Sequence, residues 1–154
     1  MSNKKEIEET TVVIYTDGSC DPNPGQGGWA ALIIWDGKKK MLAGAELATT
    51  NNRMELQAAL QALKSLKTKE KVCLHTDSQY LRKGITEWME NWISRGWKRK
   101  GGELANVDLW KELAREKDKH DISWNWVKAH NGDLYNEQVD RKAKQMATSK
   151  TKKR

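Results

Sequence analysis

The chain has 154 residues, of which 37% are hydrophobic and 32% charged, with a net charge of +7 and a pI of about 9.4. This length predicts one domain with a substantial core, and two cysteines make neither a disulfide framework nor a zinc site. No apolar run is long enough to span a bilayer, and the start MSNKKEIEETT lacks the apolar segment of a signal peptide. We therefore expect a cytoplasmic protein that binds no membrane.

The pattern of apolar residues predicts strands and helices in alternation. Three strands come first, TVVIYTD, GGWAALIIWDG and KKMLAGAEL, and the turn at Asp36 and Gly37 favours a hairpin between the last two. The helix NNRMELQAALQALKSLK follows, and then the strand KVCLHTD. SQYLRKGITEWMENWISRGW predicts helical pieces broken near Gly84 and ended at Gly96. The helix NVDLWKELAREKDKH, the strand DISWNWVKAH and the helix NEQVDRKAKQMA complete the order.

This order predicts an α/β fold with a mixed five-stranded sheet flanked by helices. Short turns make the first three strands an antiparallel meander, whereas the two strands entered after helices should pair in parallel through right-handed crossovers. Ligands of open α/β sheets bind beyond the carboxyl ends of the strands. We expect residues 1–11 to be a flexible N-terminal segment, 12–147 the folded domain and 148–154 a flexible basic tail.

Basic residues are concentrated in two segments of the sequence. Residues 141–154 contain seven cationic side chains and no acidic one, and the second segment is SRGWKRKGG. Trp88, Trp92 and Trp97 lie in or near the second segment. Indole rings can pack on sugars or bases while lysine and arginine bind phosphates. The pattern therefore favours nucleic-acid binding over a solvated basic face with no ligand.

Four acidic residues fall where a mixed sheet would bring them to one edge. Asp17 and Asp77 end the first and fourth strands, Glu55 opens the first helix, and Asp140 opens the last. Each has an ordinary alternative explanation. Asp17 suits a turn, Asp77 precedes a serine that could cap a helix, Asn52 and Glu55 fit a capping box, and Asp140 suits a helix dipole.

Taken together, four carboxylates at one edge would repel one another unless a cation neutralised them. Mg²⁺ is a hard ion that binds a few carboxylates, retained waters and phosphate oxygens. Two such ions roughly 4 Å apart can activate water and stabilise the leaving oxygen in phosphodiester cleavage. An acidic pocket within a basic, tryptophan-bearing surface therefore predicts a nuclease.

Six segments together resemble bacterial type 1 ribonuclease H (ribonuclease HI): YTDGSCDPNPGQGGWA, TTNNRMEL, HTDSQY, GITEWMENWISRGWK, NVDLW and VKAHNGDLYNEQVD. The resemblance runs from about Val12 to Ala147, with the motifs in the family's order. TDGSC alone also resembles the phosphate loop of actin-like ATPases and sugar kinases, which need a second lobe that this chain cannot supply. The resemblance implies a ribonuclease H-like fold and an endonuclease that cuts the RNA strand of RNA–DNA hybrids, leaving 3′-hydroxyl and 5′-phosphate ends. It also implies two Mg²⁺ ions with substrate bound, with Mn²⁺ as a substitute, and we expect a monomer.

The resemblance assigns catalytic roles to particular residues. Its metal-binding acids fall on Asp17, Glu55, Asp77 and Asp140, and its catalytic histidine falls on His130, which we expect to act in proton transfer or product release. His75 is the competing histidine, but no family role maps to it, and we interpret it as structural.

The resemblance also implies two sets of substrate contacts. The RNA strand and its 2′-hydroxyls are expected to meet Gly18, Ser19, Asn23, Asn51, Asn52 and Gln79. The DNA strand is expected to meet a phosphate pocket at Thr50 and Asn106, a groove at Trp88 with Cys20 nearby, and a basic protrusion that includes Trp97, Lys98, Arg99 and Lys100. Helix capping is an equal alternative for Asn51 and Asn52, and we expect Trp92, Trp110 and Trp124 to be core residues.

Two other functions stay open on the sequence. A DNA-cutting nuclease of the same superfamily is disfavoured by the asparagines expected to meet 2′-hydroxyls. A non-catalytic module that binds hybrids or RNA is disfavoured because all four acids are intact, and such a module would show salt-dependent affinity without turnover.

Overall fold

The computed structural model describes residues 11–99, 102–127 and 133–148. The strands are β1 (Val12–Cys20), β2 (Gly25–Trp35), β3 (Lys38–Thr49), β4 (Lys71–Thr76), β5 (Lys98–Arg99), β6 (Gly102–Glu103) and β7 (Asp121–Trp126). The helices are α1 (Asn51–Lys64), α2 (Gln79–Lys83), α3 (Met89–Ser94), α4 (Val107–Asp118) and α5 (Leu134–Ala147), and a π-helical turn (Gly84–Trp88) joins α2 to α3.

A mixed five-stranded sheet in the order β3-β2-β1-β4-β7 carries the fold. β1, β2 and β3 are antiparallel neighbours, while β4 pairs in parallel with both β1 and β7. Asp36 and Gly37 both have positive φ, at 52° and 74°, which is the backbone of a two-residue hairpin turn between β2 and β3. The predicted α/β fold, with its meander, its two parallel strands and its flanking helices, is confirmed.

The prediction that the first strand ends on Asp17 was wrong, because β1 continues to Cys20. Its antiparallel pairing with β2 runs on through Asp17 opposite Ala30, whereas its parallel pairing with β4 reaches only as far as Tyr15 opposite His75. The small residues after Asp17 suggest a turn, but Gly18 is needed for close packing, since a Cβ there would lie 2.4 Å from the backbone nitrogen of Glu55. Asp17 therefore lies at the carboxyl edge of the parallel part of the sheet.

Helix α1 lies across the sheet and buries the stripe that its sequence predicts. Leu56, Ala59, Leu60 and Leu63 are all buried, and they pack in the main core with Ile14, Leu74, Trp110 and Leu113. The predicted capping box was wrong: Thr50 caps the helix, because its side chain accepts from Arg53 N at 3.1 Å. Glu55 thus lies in the second turn of the helix and does not cap it.

Helix α5 covers the other face of the sheet, over a smaller core of Tyr15, Ala30, Leu32, Val139 and Ala143. The prediction that Asp140 opens this helix was wrong. The helix begins at Leu134, and Asp133 caps it by accepting from the backbone N–H groups of Tyr135 and Asn136. An aspartate at the cap satisfies amides that would otherwise have no partner, so the helix starts at Leu134 and Asp140 lies in its second turn.

The prediction that the helical segment breaks near Gly84 was wrong. The chain passes from α2 through the π-helical turn into α3 without leaving helical backbone. A Cβ at Gly84 would lie 2.0 Å from the ring of Trp110, which is 0% exposed. The glycine is therefore required by the close approach of the α4 indole ring.

Among the described helices, none has the length and apolar character needed to cross a membrane.

Candidate active site

Asp17 is a buried carboxylate on the central strand β1, at the carboxyl edge of the parallel strands, with 7% of its surface exposed. Its pKa is raised to about 9, chiefly by burial and then by the nearby carboxyl groups of Asp77 and Asp140. Gly18 N donates to Asp17 Oδ1 at 2.9 Å, which opposes the rise. Without a cation at this edge, Asp17 is protonated at neutral pH.

Glu55 reaches the same edge from the second turn of α1. Its pKa is raised to about 7, chiefly by burial, with a smaller contribution from the charge of Asp77. Ser78 Oγ donates to Glu55 Oε1 at 2.5 Å, which lowers the pKa, and the same hydroxyl caps α2 by accepting from Leu81 N at 3.0 Å. One serine therefore orients the carboxylate and fixes the start of the next helix, confirming the predicted cap after Asp77.

Asp140 projects from the second turn of α5. Lys144 lies one helical turn further along the same helix, and its Nζ is 3.2 Å from Asp140 Oδ2. The structure thus couples the predicted acids in pairs: Asp17 with Asp77, Asp17 with Asp140, and Glu55 with Asp77. In the described part of the chain no three acidic, histidine or cysteine side chains converge as a ready-made metal site. The four predicted acids would offer only carboxylate oxygens to a metal, and such ligands suit a hard divalent ion. A bound ion would replace the proton on Asp17 and compete with Lys144 for Asp140.

The sequence offers two candidate histidines for the site, His130 and His75. His130 lies outside the described residues, as does Lys100 of the basic protrusion. His75 stacks on Tyr15, with ring centroids 4.3 Å apart and planes 11° apart, and its buried Nδ1 has no hydrogen-bond partner in the described structure. These contacts agree with its interpretation as a packing residue.

The residues expected at the RNA strand line the same edge of the sheet. Asn51 N donates to Asn23 Oδ1 at 3.1 Å, which ties the loop after β1 to the start of α1. Asn52 and Gln79 are exposed, and neither Asn51 nor Asn52 caps α1, so the capping alternative for them was wrong. Gly18 and Ser19 are half-buried in the last part of β1.

Cys20 is not placed to touch a substrate with its thiol. Only 5% of the residue is exposed, and its Sγ lies 3.4 Å from each of the carbonyl oxygens of Pro22, Gly25 and Thr49. The expected place of Cys20 near the DNA groove stays a prediction, and the buried thiol takes no direct part in it. Cys20 instead holds the loop after β1 against the end of β3, next to Thr50.

Arg53 is a residue that the sequence did not single out, and it connects Thr50 to Asn106. Its backbone N–H donates to Thr50, and its Nη1 donates to Asn106 Oδ1 at 3.2 Å. Asp108 holds the guanidinium by accepting from Nη1 at 3.1 Å and from Nη2 at 3.0 Å. The only signal in the sequence is an arginine in the first turn of α1, because the pairing spans 53 and 55 positions.

Trp88, Trp92 and Trp97 form a half-buried aromatic surface near Asn106 and Tyr80. Trp88 contacts Tyr80 and Trp92, with centroids 6.1 and 5.6 Å away, and Trp92 contacts Trp97 at 6.4 Å. Tyr80, Trp88, Trp92, Leu104 and Ala105 line a groove of about 260 Å³. Trp110 is fully buried, and Trp92 and Trp124 pack against the main core, as expected.

The basic protrusion begins at Trp97, whose φ is 68°. Its described part is the pair of short strands β5 and β6, in which Lys98 lies opposite Glu103 and Arg99 opposite Gly102. The sequence predicted cationic residues here but not the strand pairing. Lys98 is exposed next to the aromatic surface.

A mixed sheet of this order, with carboxylates at its carboxyl edge and a basic aromatic surface beside them, defines the class of metal-dependent nucleases of polynucleotides. A sequence model of the RNase H family matches residues 9–148. The chain therefore belongs to the ribonuclease H family, and it is an endoribonuclease that acts on the RNA strand of RNA–DNA hybrids. The family depends on divalent metal ions.

Similar proteins agree with this family. The chain is 60% identical over 131 residues to "Ribonuclease H" of Hahella chejuensis, covering 84% of this chain and 88% of that protein. It is 57% identical over 127 residues to "Ribonuclease HI" of Xylella fastidiosa strain Temecula1, covering 82% and 85%. Among solved structures it resembles LC9-RNase H1, described as "a type 1 RNase H with the type 2 active-site motif", with 34% identity, a TM-score of 0.81 and coverage of 90% of this chain and 72% of that one.

Proposed function

We propose that this ribonuclease H acts through two Mg²⁺ ions held by Asp17, Glu55, Asp77 and Asp140, with Mn²⁺ as a substitute. The observation that supports this assignment most strongly is the buried carboxylate of Asp17, whose pKa is raised to about 9. Burying an acid beside two others is costly unless a cation replaces its proton. Mg²⁺ is the divalent ion that best suits a site of few carboxylates, waters and phosphate oxygens.

The protein side chains in this proposal prepare the site. When bound, the ions supply an activated water and a charge that stabilises the leaving oxygen. Ser78 holds Glu55 in place by its hydrogen bond, and Lys144 holds Asp140 while no metal is present. His130 takes part in proton transfer or product release, which leaves a 3′-hydroxyl and a 5′-phosphate.

The two strands of the hybrid bind on either side of this edge. On the RNA side, Gly18, Ser19, Asn23, Asn51, Asn52 and Gln79 contact the minor groove and its 2′-hydroxyls. On the DNA side, a phosphate binds at Thr50, Arg53 and Asn106, which are joined by hydrogen bonds from Arg53 N to the Thr50 hydroxyl and from Arg53 Nη1 to Asn106 Oδ1. Trp88 and the protrusion residues Trp97, Lys98, Arg99 and Lys100 extend the DNA contact, the last outside the described residues.

Three further expectations belong to this proposal. The enzyme acts as a monomer in the cytoplasm and binds no membrane. Residues 12–147 form the catalytic domain, and residues 148–154 form a basic tail that adds salt-dependent affinity for the hybrid. Removing the chain after Thr148 should keep cleavage and weaken binding mainly at lower salt, where the charges of the tail are screened least.

The test is cleavage of one end-labelled RNA strand in four forms: single-stranded, in an RNA duplex, in an RNA–DNA hybrid, and in the hybrid with excess EDTA. We expect cutting of the hybrid alone, lost with EDTA and restored by Mg²⁺ or Mn²⁺. Cutting of a DNA duplex or junction instead would favour a DNA nuclease of the same fold. Hybrid binding without turnover at any metal concentration would make the chain a binding module.

A further inference from the structure

Asn106 is held in a costly conformation without being used as a helix cap. Its φ of 60° and ψ of 28° are left-handed, although it is not glycine, and it precedes α4 without making a side-chain capping bond. Asparagine tolerates this backbone better than most residues, but a forgone cap and a left-handed residue both reduce stability. Such a conformation is retained where the side chain makes other interactions that compensate for its cost.

The side chain of Asn106 lies between two partners that fix the orientation of its amide. Arg53 can only donate, so the oxygen Oδ1 faces its Nη1 at 3.2 Å. The nitrogen Nδ2 then faces Tyr80 and donates to its hydroxyl oxygen at 3.0 Å. A flipped amide would place two donors against each other at Arg53, so the hydrogen-bond network assigns this orientation.

Tyr80 is the point at which this network meets the core and the aromatic groove. Its hydroxyl oxygen also accepts from Trp110 Nε1 at 3.1 Å, and Trp110 is fully buried. The ring of Tyr80 contacts Trp110 at 5.4 Å and Trp88 at 6.1 Å, and it lines the groove beside Leu104. The hydroxyl therefore links a fixed indole N–H to the amide of Asn106.

We infer that Tyr80 is a positioning residue, whose hydroxyl holds the Asn106 amide so that its second N–H can donate to a phosphate of the DNA strand. This inference rests on the proposed phosphate pocket at Thr50, Arg53 and Asn106. One hydrogen of Nδ2 is donated to Tyr80, and no acceptor among the described residues takes the other, which can therefore serve a ligand. Tyr80 acts through Asn106 and does not touch the reacting atoms.

The direct test is Tyr80→Phe, which keeps the ring and removes the hydroxyl. We expect KM for a short hybrid to rise about 3- to 10-fold, the effect of one lost hydrogen bond, while kcat stays within about 2-fold. A purely structural role for Tyr80 would lower the unfolding midpoint and leave KM unchanged at temperatures where the variant is folded. Thr86→Ala is the matched control, because its hydroxyl bonds the carbonyl oxygen of Arg82 on an exposed surface nearby.

A double-mutant cycle shows whether Tyr80 acts through Asn106. In an Asn106→Ala background, Tyr80→Phe should change KM by less than about 2-fold, because its partner is gone. Asn106→Asp supplies a second test that does not depend on the tyrosine variant. It keeps an acceptor for Arg53 but loses the N–H donor, so we expect normal folding and a larger rise in KM.

Hybrids with single methylphosphonates along the DNA strand identify the phosphate. We expect one position where neutralisation raises the wild-type KM, and a smaller penalty at that position in Tyr80→Phe. Full additivity with Asn106→Ala, or a wild-type KM and penalty in Tyr80→Phe, would overturn the inference. If the wild-type chain cleaves no hybrid, the proposed function fails instead, so the two failures are distinguishable.

Discussion

Asp17 on strand β1 and Asp140 on helix α5 bring two carboxyl groups together, and Asp140 is one of the causes that raise the pKa of Asp17. Burial is the largest cause and the charge of Asp77 is the next, and together the causes raise this pKa to about 9. The Asp17 carboxyl group is therefore protonated at neutral pH when no cation is bound. The metal-free site thus holds a proton on Asp17, which a divalent ion must displace in order to bind.

Asp17→Asn should abolish cleavage and stabilise the metal-free protein. Asparagine keeps an oxygen for Gly18 N and removes the acid that is costly to ionise. Because the pKa of Asp17 is raised from 3.8 to about 9, the folded state binds more protons than the unfolded state between these values. Metal-free stability therefore falls as the pH rises through this window, by at most about 1.4 kcal/mol per pH unit.

Urea unfolding in EDTA at pH 5.5, 7 and 8.5 checks the sign of this prediction. The wild-type chain should lose stability with rising pH, and the variant should show a flatter profile and exceed the wild type most at pH 8.5. Saturating Mg²⁺ should stabilise the wild type more at high pH, because metal binding releases protons. Parallel pH profiles for the two proteins, or undiminished cleavage by the variant, would contradict the role given to Asp17.

Lys144→Gln should tighten Mg²⁺ binding in the absence of substrate. Lys144 pairs with Asp140 at 3.2 Å, so a metal at that carboxylate must compete with the ammonium group. The lysine side chain is 59% exposed, which limits the effect, and we expect about a 2- to 5-fold gain in affinity. Titration calorimetry at low ionic strength measures it.

Lys142→Gln is the matched control, since it makes the same change in net charge on the same helix. Lys142 bonds Gln145 at 3.0 Å and, unlike Lys144, forms no ion pair with a described carboxylate. A general charge effect would raise the metal affinity of both variants equally. Equal gains would therefore refute the competition between Lys144 and the metal.

Much of the sheet could be predicted because its strands and its hairpin follow from local patterns. Alternating apolar runs mark the strands, and the Asp36–Gly37 turn fixes the hairpin between β2 and β3. The stripe of α1 was also predictable, because its period matches a helix packed on one face. These features depend on residues near one another in the sequence.

What the sequence could not show depends on contacts between distant segments. Small residues after Asp17 suggest a turn, but they extend β1 because α1 lies against Gly18. Nothing in the sequence indicates that Arg53 pairs with Asp108, because Asp108 lies 55 positions away. The four acids were predicted as a set, yet Ser78 as the partner of Glu55 emerges only from the folded chain.

Gly84→Ala should destabilise the fold by about 2 kcal/mol, although alanine is the better helix former. Alanine gains about 1 kcal/mol over glycine in a helix, but overpacking costs about 1–3 kcal/mol or more when neighbours cannot move. The new Cβ would lie 2.0 Å from the ring of Trp110, which is fully buried. For a domain of this size the melting temperature should fall by about 4–8 °C.

Thermal unfolding of Gly84→Ala beside Thr86→Ala isolates the clash from the general effect of alanine. Thr86 is exposed in the same π-helical turn, so its substitution should change stability by no more than about 0.5 kcal/mol. If Gly84→Ala were as stable as the wild type, the indole ring would have to move freely. That result would remove the explanation given for this glycine.

Ser78→Ala should weaken metal binding more at pH 7 than at pH 8.5. The Ser78 hydroxyl lowers the pKa of Glu55, which burial holds at about 7, so its loss raises that pKa further. At pH 7 more of Glu55 then carries a proton that Mg²⁺ must displace, whereas at pH 8.5 the difference from the wild type shrinks. The variant should also lose about 1 kcal/mol of stability, because the cap of α2 is removed.

Ser78→Thr separates the pKa effect from the loss of a small side chain, because threonine restores the hydroxyl for both Glu55 and the helix cap. Mg²⁺ titrations of the three proteins at both pH values, run where all are folded, give the comparison. Threonine should recover the wild-type pH dependence. If Ser78→Ala lost the same factor in affinity at both pH values, Ser78 would orient Glu55 without changing its pKa, and the proton competition inferred at this carboxylate would be wrong.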